Sequence, residues 1–171
     1  MITDRALKKI KVLVFDVDGV LTDGKIIVDS NGVESKAFDV QDGFGIVFAQ
    51  KAGLKTALIS ARLSDVVRYR AEDLKIDKVF TGVYPKTGAY EQMLQDFKVS
   101  DSEVCFVGDD LADLVVLKRA GFGVAVANAA PELKQAAHYV TSRRGGDGAA
   151  REVIEMVLKA QGKWGPELYE H

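Results

Sequence analysis

Two aspartates close an apolar run. In Val12-Leu13-Val14-Phe15-Asp16-Val17-Asp18-Gly19 they stand one residue apart, at the end of what reads as a buried strand. Later runs are followed by further residues able to do chemistry. Ser60 and Arg62 follow the run 56–59, and Lys86 follows 78–80 past Thr81-Gly82-Val83-Tyr84-Pro85. Asp109, Asp110 and Asp113 follow 104–107. Four or five carboxylates in one crevice cannot all stay ionised without a counter-charge. A donor set made only of oxygens calls for a hard cation, Mg²⁺ first. A lysine and a hydroxyl beside that metal suit a phosphoryl group, with Lys86 balancing its charge and Ser60 donating a hydrogen bond. Aspartate is a competent nucleophile towards phosphorus and can form an aspartyl-phosphate. Asp16 is thus expected to attack phosphorus and to bind the metal. Asp18, two residues on, points to the same side of an extended segment. It is placed to protonate the leaving alkoxide and later to deprotonate the attacking water.

These residues converge only if the runs are neighbouring strands. The runs Val12–Phe15, 56–59, 78–80, 104–107 and 123–127 alternate with helical patterns near 44–52, 64–74, 87–97, 110–120, 131–137 and 148–160. That alternation predicts an α/β fold: a three-layer, Rossmann-like parallel sheet with helices on both faces. The runs are apolar on consecutive residues, as strands covered on both sides require. Loops at the carboxyl ends of such strands meet in one crevice, where ligands bind. One segment breaks the rhythm. Residues 25–28, Asp29-Ser30-Asn31-Gly32 and 33–38 read as an inserted β-hairpin, with Asn31-Gly32 supplying both positive-φ positions of a type I′ turn. The segments 19–59 and 61–85 are filled by the hairpin, two helices and two strands, which leaves no room for a cap domain.

Composition limits the alternatives. A chain of 171 residues with 47% apolar content predicts a single domain over 1–171. A net charge of −2 and no basic stripe argue against a nucleic-acid partner, and Lys8, Lys9 and Lys11 read as a solvated strand start. The single cysteine, Cys105, lies in an apolar run and reads as a buried small residue. No apolar run is long enough to span a membrane, and no signal segment is apparent, so the cytoplasm is expected.

The motifs together resemble the haloacid dehalogenase superfamily of phosphohydrolases. "DVDGVLTDG" is similar to its first motif, Ser60 in "LISAR" to the second, Lys86 in "YPKTGAY" to the third and "VGDDLADL" to the fourth. The resemblance implies that Asp16, the Asp18 main-chain carbonyl and Asp109 hold the metal. It also implies that Asp113 braces Lys86, with Asp110 either a ligand or a bracing residue. A narrower resemblance covers nearly the whole chain. "FDVQDGFGI", "ISARLSDVVRYRAEDL" and "RRGGDGAAREV" are similar to segments of the 3-deoxy-D-manno-octulosonate 8-phosphate phosphatase family, which serves lipopolysaccharide biosynthesis. It implies a sugar-phosphate substrate touched by Asp39, Val40, Gln41, Asp42, Gly43, Arg62, Arg70 and Lys86, and a homotetramer with the hairpin at the subunit interface. Gln41, Ser60 and Val47 depart from the family's commoner residues. Another sugar-acid phosphate, such as a nonulosonate 9-phosphate, stays open as substrate. A phosphoacceptor signalling domain shares the aspartate, hydroxyl, lysine and Mg²⁺, but Asp18 argues against it.

Arg70 lies eight residues after Arg62, about two helical turns, so both are expected to face the crevice mouth. His138 reads as a structural histidine at a final strand. "RRGGDGAARE" reads either as a loop with Asp147 capping the next helix, or as a mobile flap carrying Arg143, Arg144 or Arg151. The tail 162–171 has no periodic pattern and is expected to be flexible or to dock on another subunit.

Overall fold

The computed structural model describes residues 4–170. The ends of the expected 1–171 unit, residues 1–3 and 171, lie outside them. A short helix, α1 (Asp4–Leu7), leads into β1 (Val12–Phe15), all four residues of which are buried. The chain continues through β2 (Ile27–Val28), β3 (Glu34–Ser35), α2 (Val40–Lys51), β4 (Lys55–Ser60), α3 (Asp65–Asp73) and β5 (Lys78–Thr81). Next come α4 (Thr87–Phe97), β6 (Val104–Gly108), α5 (Leu114–Arg119), β7 (Phe122–Ala125), α6 (Pro131–Ala136), β8 (Tyr139–Val140) and α7 (Ala149–Ala160).

Six strands form one parallel sheet in the order β5-β4-β1-β6-β7-β8, and β2 and β3 pair separately as an antiparallel hairpin. This is the α/β architecture expected. The chain first runs outward from β1 to β4 and β5, then returns to the other side of β1 for β6. Right-handed crossovers therefore put α2 and α3 on one face and α4, α5 and α6 on the other. Helix α7 crosses back to pack on α2. The register levels the strand ends: Phe15 lies beside Leu58 on one side and Val107 on the other. The residues that follow are thereby brought to one rim.

Three boundaries differ from the sequence reading, each for a local reason. Helix α2 begins at Val40 rather than near 44, because the Asp39 side chain accepts from the Asp42 N–H at 3.0 Å and caps it. The expected helix 110–120 starts with a 3₁₀ turn over Leu111–Asp113, held by reciprocal capping between Asp110 and Asp113. The hairpin is shorter than 25–38, and its turn is not type I′, since only Gly32 takes a positive φ, +80°. The Gly32 N–H closes on the Asp29 carbonyl at 3.1 Å, and the Asp29 carboxylate accepts from the N–H groups of Asn31 and Val33. An aspartate that can form these bonds favours a type I turn ending in a left-handed glycine.

The tail is placed on its own chain. Trp164 packs edge-on to Phe48 of α2, 5.8 Å between ring centroids, and Leu168 is buried. His138 is structural, its Nδ1 accepting from the Gly123 N–H at 2.9 Å. Among the described residues no helix is long and apolar enough to cross a membrane.

Candidate active site

Asp16 leaves the end of β1 with its main-chain N–H on the Val107 carbonyl, 2.9 Å, so the backbone of β6 fixes its height. Ser60 ends β4, Lys86 directly precedes α4, and Asp109 follows β6. All four line one open cavity of about 240 Å³ together with Asp18, Arg62, Asp110 and Asp113. Buried Lys86 stands between two carboxylates, 2.7 Å from Oδ1 of Asp16 and 2.6 Å from Oδ1 of Asp113. Asp113 uses its other oxygen to accept the Asp109 N–H at 2.9 Å. Both Asp113 oxygens are thus engaged in bracing. Asp110 is exposed and caps the turn after β6 through the Leu111 N–H at 2.8 Å.

Oxygens of Asp16, Asp109 and Asp113 lie within 4.8 Å of one another. One ammonium cannot balance three carboxylates at that spacing. Burial first, then the neighbouring charges of Asp16, Asp113 and Asp110, push the Asp109 carboxyl up to about 8. Burial and Asp113 raise Asp16 to about 6, with Lys86 opposing them. Burial alone would lower the Lys86 ammonium, but Asp16 and Asp113 outweigh it and raise it. The cluster lacks one or two positive charges. An all-oxygen set with that deficit fits a hard divalent cation such as Mg²⁺.

The turn after Asp18 must be glycine. Gly19 has φ +88°, and a Cβ there would lie 1.9 Å from Oδ2 of Asp109. Gly145 comes equally close to that turn, since its Cβ would meet the Gly19 carbonyl oxygen at 1.7 Å. Its N–H donates to Oδ1 of Asn128 at 2.6 Å, and Asn128 Nδ2 donates to the Gly19 carbonyl at 3.2 Å. The Gly145-Gly146 segment thus braces the turn after Asp18. Of its arginines, Arg143 donates to Gln41 and Arg151 to Glu155. The residue capping α7 is Gly148, not Asp147.

The expected substrate residues divide into two groups. Arg62 reaches the Asp16 cavity, but its Nη2 is spent on Glu34 at 2.9 Å and its Nε lies 3.7 Å from Asp18. Arg70 does not line that cavity. It pairs with Asp73 at 2.6 Å, lies 5.7 Å from the Phe38 ring centroid and lines a neighbouring cavity with Asp39, Asp42 and Gly43. Helix α3 begins only at Asp65, so Arg62 is not on it and the eight-residue spacing does not count helical turns. Val40 is 66% exposed, and Gln41 accepts from Arg143; neither lines either cavity.

Asp42 ties α2 to α7, accepting the Arg151 N–H at 2.8 Å on Oδ1, while its buried Oδ2 has no hydrogen-bond partner among the described residues. Burial, helped by the Asp39 charge, raises its carboxyl from 3.8 to about 6. A carboxyl raised in the folded state favours folding least once ionised, so its penalty grows between pH 3.8 and about 6 and is complete above. Two pKa units correspond to about 3 kcal/mol. Asp42→Asn keeps the acceptor and removes the charge. It should raise unfolding free energy by about 1–2 kcal/mol at pH 8 and by nothing measurable at pH 4 in urea titrations. An equal change at both pH values would disprove this account.

The sequence reading missed the contacts that surround Asp18. Lys36, the residue directly after the hairpin's return strand β3, bonds Oδ1 of Asp18 through an ammonium whose side chain is 1% exposed. Glu34 lies 3.3 Å from the same ammonium and accepts Ser64 Oγ at 2.5 Å. A signal was present: Glu34, Lys36 and Phe38 alternate with Ser35 and Ala37, so one strand face turns inward with two charges on it.

Comparison with known proteins agrees with this geometry. Residues 76–153 match the family described as haloacid dehalogenase-like hydrolase. The chain is 42% identical over 156 residues, 91% of its length and 83% of the relative's, to 3-deoxy-D-manno-octulosonate 8-phosphate phosphatase of Escherichia coli strain K12. A crystal structure of the enzyme of that name from Moraxella catarrhalis, in complex with a magnesium ion, a phosphate ion and a KDO molecule, superposes with a TM-score of 0.91 at 40% identity. The match covers 93% of this chain and 91% of that one. The cobalt-bound form of the Haemophilus influenzae phosphatase also superposes at 0.91, with 38% identity and coverage of 97% and 96%.

Proposed function

We propose, because the chain belongs to the 3-deoxy-D-manno-octulosonate 8-phosphate phosphatase family of haloacid dehalogenase-like hydrolases, that it hydrolyses a sugar-acid phosphomonoester through an aspartyl-phosphate on Asp16. The observation that carries this reading is the buried Lys86 pinned between Asp16 and Asp113, beside an Asp109 that lacks a counter-charge. Lys86 holds Asp16 oriented, and Ser60 at the end of β4 offers its hydroxyl to a phosphoryl oxygen. Asp16 attacks phosphorus while Asp18 gives a proton to the leaving alkoxide. Asp18 then takes a proton from the water that hydrolyses the aspartyl-phosphate. The carboxylates of Asp16 and Asp109 and the Asp18 main-chain carbonyl would hold Mg²⁺. Bound there, the ion supplies charge neutralisation for the phosphoryl oxygens. A bracing role for Asp113 and Asp110 is supported by their bonds: the Asp113 oxygens serve Lys86 and the Asp109 N–H, and Asp110 Oδ1 serves the turn after β6.

The substrate proposed is 3-deoxy-D-manno-octulosonate 8-phosphate, with the cytoplasm as the compartment. Its support is the 42% identity to the enzyme of that name. Mg²⁺-dependent phosphate release across a panel holding this compound, a nonulosonate 9-phosphate and a hexose 6-phosphate tests it. The octulosonate should give the highest kcat/KM. A nonulosonate preference would change the sugar acid, and a hexose preference would remove the sugar-acid reading.

The hairpin leaves Ile26, Ile27, Val28 and Val33 each more than half exposed. We propose that these residues meet neighbouring subunits in a homotetramer, since a protein seldom leaves four adjacent aliphatic side chains in water. Ile27→Lys should lower the mass seen by light scattering and weaken catalysis together. A monomeric parent protein at micromolar concentration would end this proposal.

A further inference from the structure

We propose that Lys36 is a positioning residue for Asp18. Its ammonium bonds Oδ1 of that carboxyl and fixes the orientation in which Asp18 meets a group bound in the cavity. This rests on the reading of Asp18 as acid and base. Four observations carry it. Lys36 bonds Oδ1 directly, and its side chain is almost wholly buried. The Asp18 Oδ2 atom is buried, with Arg62 Nε 3.7 Å away and no hydrogen-bond partner among the described residues, so the bond from Lys36 is the one that fixes the carboxyl. Asp18 lines the cavity of Asp16, Ser60 and Lys86, so a group bound there meets it. Finally, Lys36 is itself held: Glu34 lies 3.3 Å from its ammonium and is tied by Arg62 Nη2 at 2.9 Å and Ser64 Oγ at 2.5 Å.

A carboxyl with two free oxygens can rotate and offer either one. A lysine has three donors and no acceptor, so Oδ1 accepts from Lys36 and the carboxyl keeps one orientation while that bond is made. Proton transfer depends on such placement, because the donor must lie within hydrogen-bond reach of the bridging oxygen. In the first step the ester P–O bond breaks as the Asp16 oxygen bonds to phosphorus, and the proton on the Asp18 carboxyl passes to the departing oxygen. In the second step water adds to phosphorus, the bond to Asp16 breaks, and the water's proton returns to the Asp18 carboxyl. Protons and charge balance over the two steps. The clamp comes from the hairpin and not from the sheet. Asp18 is therefore held by a residue that lies outside the sheet, just after β3.

The test compares leaving groups. kcat/KM reports steps up to formation of the phosphoenzyme. An alkyl sugar phosphate needs protonation in that step, whereas p-nitrophenyl phosphate has a leaving group stable enough to depart without it. Lys36→Met should lower kcat/KM for the sugar phosphate by about 10- to 100-fold, part of the usual worth of general acid catalysis. It should lower that for p-nitrophenyl phosphate by less than about threefold, the scale of an unassisted step. Lys36→Arg, which keeps a cation at this position, should hold the ratio of the two substrates near the parent's. Equal losses for both substrates, or a ratio as altered in Lys36→Arg as in Lys36→Met, would overturn the proposal. Asp18→Asn separates the two levels. If it shows no dependence on leaving group, the reading of Asp18 fails. If it shows one and Lys36→Met does not, the role of Lys36 alone fails.

Discussion

Asp16→Asn should abolish Mg²⁺-dependent phosphate release while leaving the protein folded. An amide is a poor nucleophile and not an anionic ligand, so the substitution removes the attacking group and weakens the metal site together. Catalysis should fall by at least about 10³-fold, the scale on which loss of a nucleophile is felt. Rapid acid quench with labelled substrate should trap a phosphorylated parent enzyme and an unlabelled variant. Stability supplies the control. Asp16 is raised from 3.8 to about 6 by burial and by Asp113, against the pull of Lys86. Ionising it therefore opposes folding, with a penalty that grows across that window and is full at pH 8. Without metal, the Asp16→Asn protein should be at least as stable as its parent at pH 8. Near-parental turnover in the folded variant would exclude the aspartyl-phosphate mechanism.

The residues of the candidate site were legible because each stands just beyond a strand, and a parallel sheet gathers such positions whatever its details. Asp16, Ser60, Lys86 and Asp109 needed only the order of strands and the register that sets Phe15 level with Leu58 and Val107. The surroundings of Asp18 were less accessible. Lys36 reaches it because the chain just after β3 returns to the turn that follows β1, and no local propensity encodes that return. Only the alternation of Glu34, Lys36 and Phe38 hints that one face turns inward. Arg70 shows the opposite failure. Its spacing from Arg62 looked helical, but Ser64 occupies the N-cap position of α3 after Arg62, and the guanidinium turns to Phe38 and Asp73. The bracing of the Gly19 turn by Asn128 and Gly145 joins residues more than a hundred positions apart. Such a contact follows from the assembled sheet and not from any pattern along the chain.

Lys86→Met should cost stability and activity together, and Mg²⁺ should restore part of the first but little of the second. Methionine fills much the same volume but leaves Asp16, Asp109 and Asp113 facing one another with their oxygens within 4.8 Å. Two ion pairs of 2.7 and 2.6 Å disappear from a buried position. Breaking a buried pair on one side typically costs about 3–5 kcal/mol, because the remaining charge is stranded. Here three carboxylates share the deficit, and a divalent cation can offset it. Ligand binding to the folded state adds stability in proportion to affinity, and the metal meets one more uncompensated charge in the variant. The rise in melting temperature on saturation with Mg²⁺ should therefore be larger for Lys86→Met than for the parent. Turnover should stay down by about 10²–10³, since the metal cannot replace the ammonium that holds Asp16 in place. Calorimetry with and without Mg²⁺, alongside phosphate release, measures both. Identical metal-induced shifts in the two proteins would mean that Lys86 does not share the charge of the metal site, and the electrostatic account of Asp16, Asp109 and Asp113 would fall with it.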